Sequence, residues 1–368
     1  MVQFVSQRKL MEGVRYRTLY GSWKNRIRHV ACHTNRIQPG GAFVCIAGTQ
    51  GDGHHYVSEA LERGAVLIVV ERVTEPLKTM LAEGNLPERI VVVQVSDSRR
   101  AYGKMCRNYF CAPDMGMQII GITGTKGKTT TSYMLRAMLS TKYRTGLIGT
   151  TGAYLEGEYV PMSNATPDAY ELYELLYRMQ KRGITHVVME VSSQGLKQHR
   201  VEGLRFSAAA YTNLSCDHLG KTEHESMREY AYWKGELAKQ SCAYLVNGDD
   251  AYSLKSGENH LNLHVFSLKN NDLDGKIRLK WEEIEKDTHF GARLFLEWIS
   301  EDSECLHAGA EDFGKLPDEQ EEEIFSPSGY YLPNAFSFNR ENVMTAMGLC
   351  MLVEGKIIGL KQYSEQSP

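Results

Sequence analysis

Gly121-Ile122-Thr123-Gly124-Thr125-Lys126-Gly127-Lys128-Thr129-Thr130 decides how the rest of the chain is read. It lies between a predicted strand, Met117 to Thr123, and a predicted helix, Lys128 to Ser140. A phosphate cradle needs that setting: glycines let backbone N–H groups converge on phosphate oxygens, and the helix N-terminus adds positive potential. Lys128 supplies a charge for the β- and γ-phosphates of ATP, and the Thr129 hydroxyl is suited to Mg²⁺. The strict GxxxxGK[ST] spacing is missed at one place, because Ile122 stands where its first glycine belongs. A plain glycine turn is the competing reading, but it does not account for strand, lysine, threonine and helix all being in place. Gly124, Thr125, Lys126, Gly127, Lys128, Thr129 and Thr130 are therefore the expected nucleotide-binding residues.

Upstream, Ala42 to Ala47 and Ala65 to Glu71 read as strands with a short helix, Tyr56 to Arg63, between them. Ile90 to Val95 and Arg99 to Phe110 repeat the strand–helix alternation. Cys111-Ala112-Pro113-Asp114 reads as a linker, since proline breaks the helix there. Downstream, helix Asp168 to Arg182 precedes strand His186 to Val191. Strand Ser207 to Thr212 is followed by helix Ser226 to Gln240, and Ala243 to Val246 is strand again. Continuous apolar strands separated by helices predict an α/β fold with a mostly parallel sheet covered on both faces. Lys269 to Ser328 is more polar, and its acidic run Asp318 to Glu323 reads as a solvated loop. Helix Glu341 to Val353 then leads to a polar end. The expected division is 1–113, 114–355 and a short polar tail, 356–368.

The chain of 368 residues has room for two or three domains. A net charge of -3 gives no electrostatic case for nucleic acid or a membrane surface. Runs such as Ala65 to Val70 are far too short for a membrane segment. Met1 to Leu10 has basic residues with no apolar core behind them, so it does not read as a signal peptide. The eight cysteines form no CxxC pair, and the twelve histidines show no zinc-type spacing. Scattered thiols of this kind imply a reducing, cytoplasmic location.

The loop form GxTGTxGKTTT resembles that of the Mur ligases, which build the peptide stem of peptidoglycan. Met189-Glu190-Val191-Ser192-Ser193-Gln194-Gly195-Leu196 and Gln198-His199-Arg200-Val201 resemble the MEVSSxGL…RV segment of the tripeptide-forming branch, the UDP-N-acetylmuramoyl-tripeptide synthetases. Thr212-Asn213-Leu214-Ser215-Cys216-Asp217-His218-Leu219 is similar to its TNLSxDHL segment. Tyr230-Ala231-Tyr232-Trp233-Lys234 resembles the helix that carries its modified lysine, and Phe338-Asn339-Arg340-Glu341-Asn342 its adenine-side FNxxN motif. Pro39 to Val44 and Gly51-Asp52-Gly53-His54 resemble its small α/β uridine-nucleotide-binding domain. The similarity runs from roughly residue 30 to residue 353, with the motifs in the family's order.

The resemblance implies ATP-driven amide formation on a UDP-N-acetylmuramoyl-dipeptide, through an acyl phosphate, with diaminopimelate or lysine as the incoming amino acid. It implies two Mg²⁺ sites, Thr129 and Glu190 at the first, His218 and Lys234 at the second. A free ammonium cannot ligate a cation, so Lys234 fits only as a carbamate. Lys128, Glu190, His218 and Lys234 are the expected catalytic set, and Asn339 and Asn342 join the nucleotide contacts. Asn35, Arg36, Gly53, His54, Asn164, Thr166, Ser192, Gln198 and Arg200 are the expected substrate contacts. Taken singly, a strand-end glutamate, an Asp-His pair and a helical lysine have ordinary structural readings; only their joint order after the phosphate loop favours the functional ones. His54 reads either as a uridine contact or as a surface loop residue.

Several positions depart from the family pattern. Ala165 replaces a threonine of the NTTP segment, Thr34-Asn35-Arg36 stands where Asp-Ser-Arg is usual, and Gly220 to His224 replaces Asp-Tyr-His. The family continues into a third, Rossmann-like domain that closes over ATP. Glu354 to Pro368 is far short of such a domain of about 100 residues. The expectation is a chain without it and with little ligase turnover by itself. Two alternatives stay open: a non-catalytic UDP-muramoyl-peptide and ATP binder that needs a partner, and a ligase of the folylpolyglutamate synthetase kind. The uridine-type first domain and the MEVSSQGL segment argue against the second.

Overall fold

A computed structural model describes residues 4–48, 51–216, 220, 224–269, 277–286, 289–298 and 340–354. The first unit holds β1 (Val5–Ser6), α1 (Gln7–Leu10), β2 (Tyr16–Tyr20), β3 (Arg26–Ile27), β4 (Val30–Ala31), β5 (Ala42–Val44), α2 (Val57–Glu62), β6 (Leu67–Val70), α3 (Leu77–Glu83), β7 (Val91–Val95) and α4 (Ser98–Tyr109). Its sheet runs β2-β7-β6-β5-β4, parallel except for β2, and β1 pairs with β3.

The second unit opens with β8 (Gln118–Thr123) and α5 (Lys128–Ser140). It continues through β9 (Thr145–Gly149), β10 (Gly152–Tyr154), β11 (Tyr159–Val160), α6 (Ala169–Lys181), β12 (His186–Glu190), α7 (Ser193–Lys197), β13 (Ala208–Tyr211), α8 (Met227–Gly235), β14 (Tyr244–Asn247), α9 (Ala251–Gly257) and β15 (Leu263–Ser267). A paired β16 (Ile277–Lys286) and β17 (His289–Trp298), then α10 (Arg340–Glu354), complete it. The ten strands run β11-β10-β9-β12-β8-β13-β14-β15-β16-β17, parallel from β9 through β12, β8, β13, β14 and β15 to β16.

The apolar strands follow from burial on both faces. On β8 and β12, Ile120, Ile122 and Val188 face one core with Leu135 and Leu139 of α5 and Met344 and Leu349 of α10. Ile119, Val187 and Met189 face the other, with Leu172, Leu176 and Met179 of α6. That second core also takes in Ala101, Tyr102 and Met105 of α4 and Val91 and Val93 of β7, so it joins the two units. Tyr102 donates to Asp168 Oδ1 at 3.0 Å, and His29 Nδ1 lies 3.0 Å from the Tyr170 hydroxyl across the same junction. Capping carboxylates and hydroxyls start the key helices: Asp97 for α4, Asp168 for α6, Ser192 for α7 and Ser226 for α8.

Some expected elements differ. Helix Ser226 to Gln240 stops at Gly235 and resumes as a single 3₁₀ turn, Ala238–Gln240. The strand at Ala42 closes by Val44. The polar segment after Lys269 contains β16 and β17, which extend the sheet. The acidic run Asp318 to Glu323 and the tail 356–368 lie outside the described residues. Among the described residues no helix is long and apolar enough to cross a membrane.

Candidate functional site

Ligand sites in open parallel sheets form at the carboxyl ends of the strands. Here β8 delivers the phosphate loop and β12 delivers Glu190 at adjacent strand ends, with Glu190 in register with Ile122. The loop is held open by glycine. Gly124 and Gly127 have φ of 147° and 85°, and a Cβ on them would stand 1.9 Å from Thr212 Oγ1 and 2.1 Å from Asn342 Oδ1. Only glycine takes such angles without strain.

The loop's far side is tied to the segment after β13. The Thr125 N–H donates to the Asn213 carbonyl, the Lys126 N–H to Asn213 Oδ1, and the Thr212 hydroxyl to the Lys126 carbonyl. Lys128 Nζ reaches the Gly124 and Thr125 carbonyls at 2.7 and 3.1 Å. Thr129 and Thr130 follow, half-buried, in the first turn of α5. Asn342 of α10 accepts from the Thr131 hydroxyl at 3.4 Å, which brings the expected adenine-side helix onto α5. Asn339 lies outside the described residues.

Glu190 is fully buried. The Thr150 N–H donates to its Oε1 at 3.1 Å and the Thr150 hydroxyl to its Oε2 at 3.0 Å. These two bonds fix the orientation of the carboxyl group. Lys234, 1% exposed, donates from Nζ to the same Gly124 carbonyl at 2.7 Å, 4.5 Å from the Tyr230 ring centroid. His218 lies outside the described residues. His224 is buried, with Nε2 2.8 Å from Ser193 Oγ and its ring 5.0 Å from that of Tyr230. Thr129 and Glu190 are hard oxygen donors of the kind Mg²⁺ takes, and the two-glycine cradle suits phosphate.

The expected substrate residues fall into three places. Thr166, Ser192, Gln198 and Arg200 form one connected set beside Glu190. The Thr166 hydroxyl donates to the Glu190 carbonyl and accepts from the Ser192 N–H. Arg200 donates to the Thr166 carbonyl at 2.7 Å and through two nitrogens to Gln198 Oε1. Asn164 is exposed on the loop just before them. Asn35 and Arg36 line a cleft of about 360 Å³ between the two units, with Gln38, Tyr170, Glu171 and Glu174. Burial first, then Asp168, raises the pKa of Glu171 at its edge, with Arg36 and Arg200 acting against the rise.

Gly53 and His54 lie elsewhere, in a knot around Asp52. The surface-loop reading of His54 is overturned, because the side chain is fully buried. Its Nδ1 faces Asp52 Oδ1 at 2.6 Å, and its Nε2 accepts from the Glu71 N–H at 3.1 Å. Burial works against the Asp52 carboxylate, but the His54 N–H and ring and the Arg72 guanidinium outweigh it and bring it down to about 2.

Four contributors lie beyond the expected set: Thr150, Gly149, Thr212 and Asn213. The last two sit inside the quoted TNLS segment. Gly149 and Thr150 gave no signal, because β9 (Thr-Gly-Leu-Ile-Gly) has two glycines in five residues and no strand pattern.

A parallel sheet with a glycine-cradled loop at one strand end and a buried carboxylate at the next defines a phosphate-loop α/β protein. Residues 122–309 match the family described as Mur ligase middle domain, and residues 26–110 match that described as Mur ligase family, catalytic domain. The chain belongs to the Mur ligase family. It is similar to the UDP-N-acetylmuramoyl-L-alanyl-D-glutamate–2,6-diaminopimelate ligase of Clostridium perfringens, at 31% identity over 76% of this chain and 59% of that one. The ligase of the same description from Caldanaerobacter subterraneus is 37% identical over 66% of this chain and 48% of that one. A solved structure so described overlays with a TM-score of 0.64 at 24% identity, covering 80% of this chain and 57% of the other, a likeness of fold. The chain spans about half the length of the curated relatives it matches.

Proposed function

We propose that the chain serves an ATP-dependent ligase that adds an amino acid to UDP-N-acetylmuramoyl-L-alanyl-D-glutamate in peptidoglycan precursor synthesis. The names of the curated relatives favour 2,6-diaminopimelate over lysine as that amino acid. The observation that carries the reading is the register of Glu190 against the phosphate-loop strand, with Thr166, Ser192 and Arg200 bonded in sequence behind it. A guanidinium bonded to the Thr166 carbonyl, beside a strand end that neighbours the phosphate loop, supports the reading of Arg200 as the partner of a substrate carboxylate.

In the reaction, a substrate carboxylate oxygen attacks the γ-phosphorus, the bond to the β–γ bridging oxygen breaks, and ADP leaves with that electron pair. The amine then attacks the acyl phosphate carbonyl, sheds a proton and expels phosphate. Loop amides and Lys128 hold the phosphates, and Arg200 orients the substrate through charge-assisted hydrogen bonds. Mg²⁺, when bound, offsets phosphoryl charge, and Thr129, Glu190, His218 and carbamylated Lys234 would hold two such ions. A carbamate on Lys234 keeps one N–H for the Gly124 carbonyl while adding two oxygens for a cation. Cys32, Cys45, Cys106, Cys216 and Cys242, all thiols, are in keeping with a cytoplasmic site of action.

The test is trapping. With MgATP and UDP-muramoyl-dipeptide, hydroxylamine should capture the acyl phosphate as a hydroxamate, and Lys128→Met should abolish it. Titration with the dipeptide, and with folate, separates the remaining readings. Dipeptide binding without hydroxamate supports the non-catalytic binder, and folate binding in its place the folylpolyglutamate kind.

A further inference from the structure

α7 ends in a paired cap. The His199 N–H donates to the Leu196 carbonyl at 3.0 Å and the Arg200 N–H to the Gly195 carbonyl at 2.9 Å, the two bonds of a Schellman motif. The residue at its turning point must be left-handed, and His199 is, at φ 53°. Glycine is the ordinary occupant of that position, since a Cβ is strained there. His199 carries an imidazole instead, and the ring has charged neighbours. Its Nδ1 lies 3.4 Å from Glu202 Oε2 and its Nε2 3.8 Å from Asp97 Oδ2. The ring stands edge-on to Trp233, the residue before Lys234 on α8, at 6.1 Å between centroids.

These contacts span three elements. Asp97 caps α4 in the first unit by accepting from the Arg100 N–H. From α4, Arg100 and Lys104 also act on Glu202, whose carboxyl is held below the usual range; burial opposes the shift, and the His199 hydrogen bond leads the groups that produce it. The turn is seated closely on α4: a Cβ on Gly103 would come 2.8 Å from Glu202 Cβ and 3.1 Å from the His199 carbonyl. Arg200 is the next residue along, and the neighbour on the other side, Gln198, accepts from its guanidinium.

We infer that His199 is a positioning residue, whose ring clamps the turn bearing Arg200 to the first turn of α4 and so sets where the guanidinium meets an anionic substrate. The inference rests on the reading of Arg200 as a substrate contact. The ring, rather than the bend, carries the role, and His199→Gly separates the two: glycine keeps the left-handed turn without strain and removes the ring with its contacts to Asp97, Glu202 and Trp233. Asp97→Asn removes the charge on the other side while preserving a capping side chain.

UDP-muramoyl-dipeptide and ATP are titrated separately into wild type, H199G, H199N, D97N and the H199G/D97N double variant. H199G weakens the dipeptide about tenfold, as loss of an orienting partner does, and leaves ATP affinity unchanged. H199N, which tolerates the left-handed turn and returns an N–H, recovers part of the loss. D97N weakens the dipeptide less, and the double variant is no worse than H199G, since both remove one coupling. Wild-type affinity in H199G, additive losses in the double variant, or equal losses for dipeptide and ATP would each overturn the inference while the substrate reading stands. A wild-type protein that fails to bind the dipeptide overturns both.

Discussion

Gly149 closes β9 without a side chain, and the reason lies on the next strand. A Cβ there would stand 2.3 Å from Glu190 Oε1. Its backbone is not among the left-handed glycines, so an alanine at 149 tests space and not conformation. Gly149→Ala should swing the Glu190 carboxylate away from Thr150. The Mg²⁺ concentration needed for half-maximal enhancement of nucleotide binding then rises about tenfold, while binding of a fluorescent ATP analogue in EDTA is unaltered. An unchanged Mg²⁺ dependence would count against Glu190 as a ligand. At this scale the sequence is legible where a residue type marks its own place, as Lys128 and Thr129 mark the turn from the glycine loop into α5. It is silent where the role is a partner's: nothing in a linear string says that residue 150 faces residue 190, or residue 213 residue 126. His54 misled for the same reason, its second ring partner being 17 positions away.

α7 and α8 form a small unit behind the loop, and its main electrostatic tie is exposed to titration. Lys197 Nζ lies 2.8 Å from Glu229 Oε1. That ammonium, then the Glu225 N–H, hold the Glu229 carboxyl at about 2, against some burial and with help from the Trp233 indole. Because the folded value is depressed, the stabilisation is full above the ordinary glutamate range, near 4.5, and is lost as pH falls toward about 2. The pair is part-exposed, so we expect about 1 kcal/mol at neutral pH. Urea midpoints for wild type and Glu229→Gln should differ at pH 6 and converge as pH falls below about 4; a constant gap would rule the ion pair out as the cause. The two-sided strands of this second unit were legible as continuous apolar runs and its helices as the segments between them, Lys128–Ser140 to the residue. The strands that escaped lack a continuous apolar run: β9 is glycine-rich, and β16 (Ile-Arg-Leu-Lys-Trp-Glu-Glu-Ile-Glu-Lys) is dominated by charged residues that give its segment a polar composition.

Across the whole molecule, one core holds the two units together. Met105 of α4 is fully buried in the cluster that also contains Leu172 and Leu176 of α6. Met105→Ala should therefore cost about 2–5 kcal/mol and lower the thermal midpoint of both units at once, since neither can lose that contact alone. Circular dichroism and intrinsic fluorescence should trace a single transition, raised by MgATP in both probes. An early, nucleotide-insensitive step confined to the first unit would refute the shared-core account. The sequence marked a proline linker at Cys111 to Asp114 and so suggested two separable bodies. The aromatic packing of Tyr109 and Phe110 on Tyr170 of α6 binds them across that linker, a long-range fit that no local pattern encodes.

The α4–α6 seam also governs how such a chain can be inherited or rebuilt. Two family segments meet near residue 113, which looks like a natural place to exchange one for a relative's. A chimera cut there would set a foreign α4 against the native α6, and Asp168, Leu172 and Leu176 would lose the Tyr102 and Met105 surfaces they pack against. The workable unit of exchange is the pair of helices with the 199–202 turn packed on them, so that the Asn35–Arg36 cleft and the phosphate loop are carried forward together.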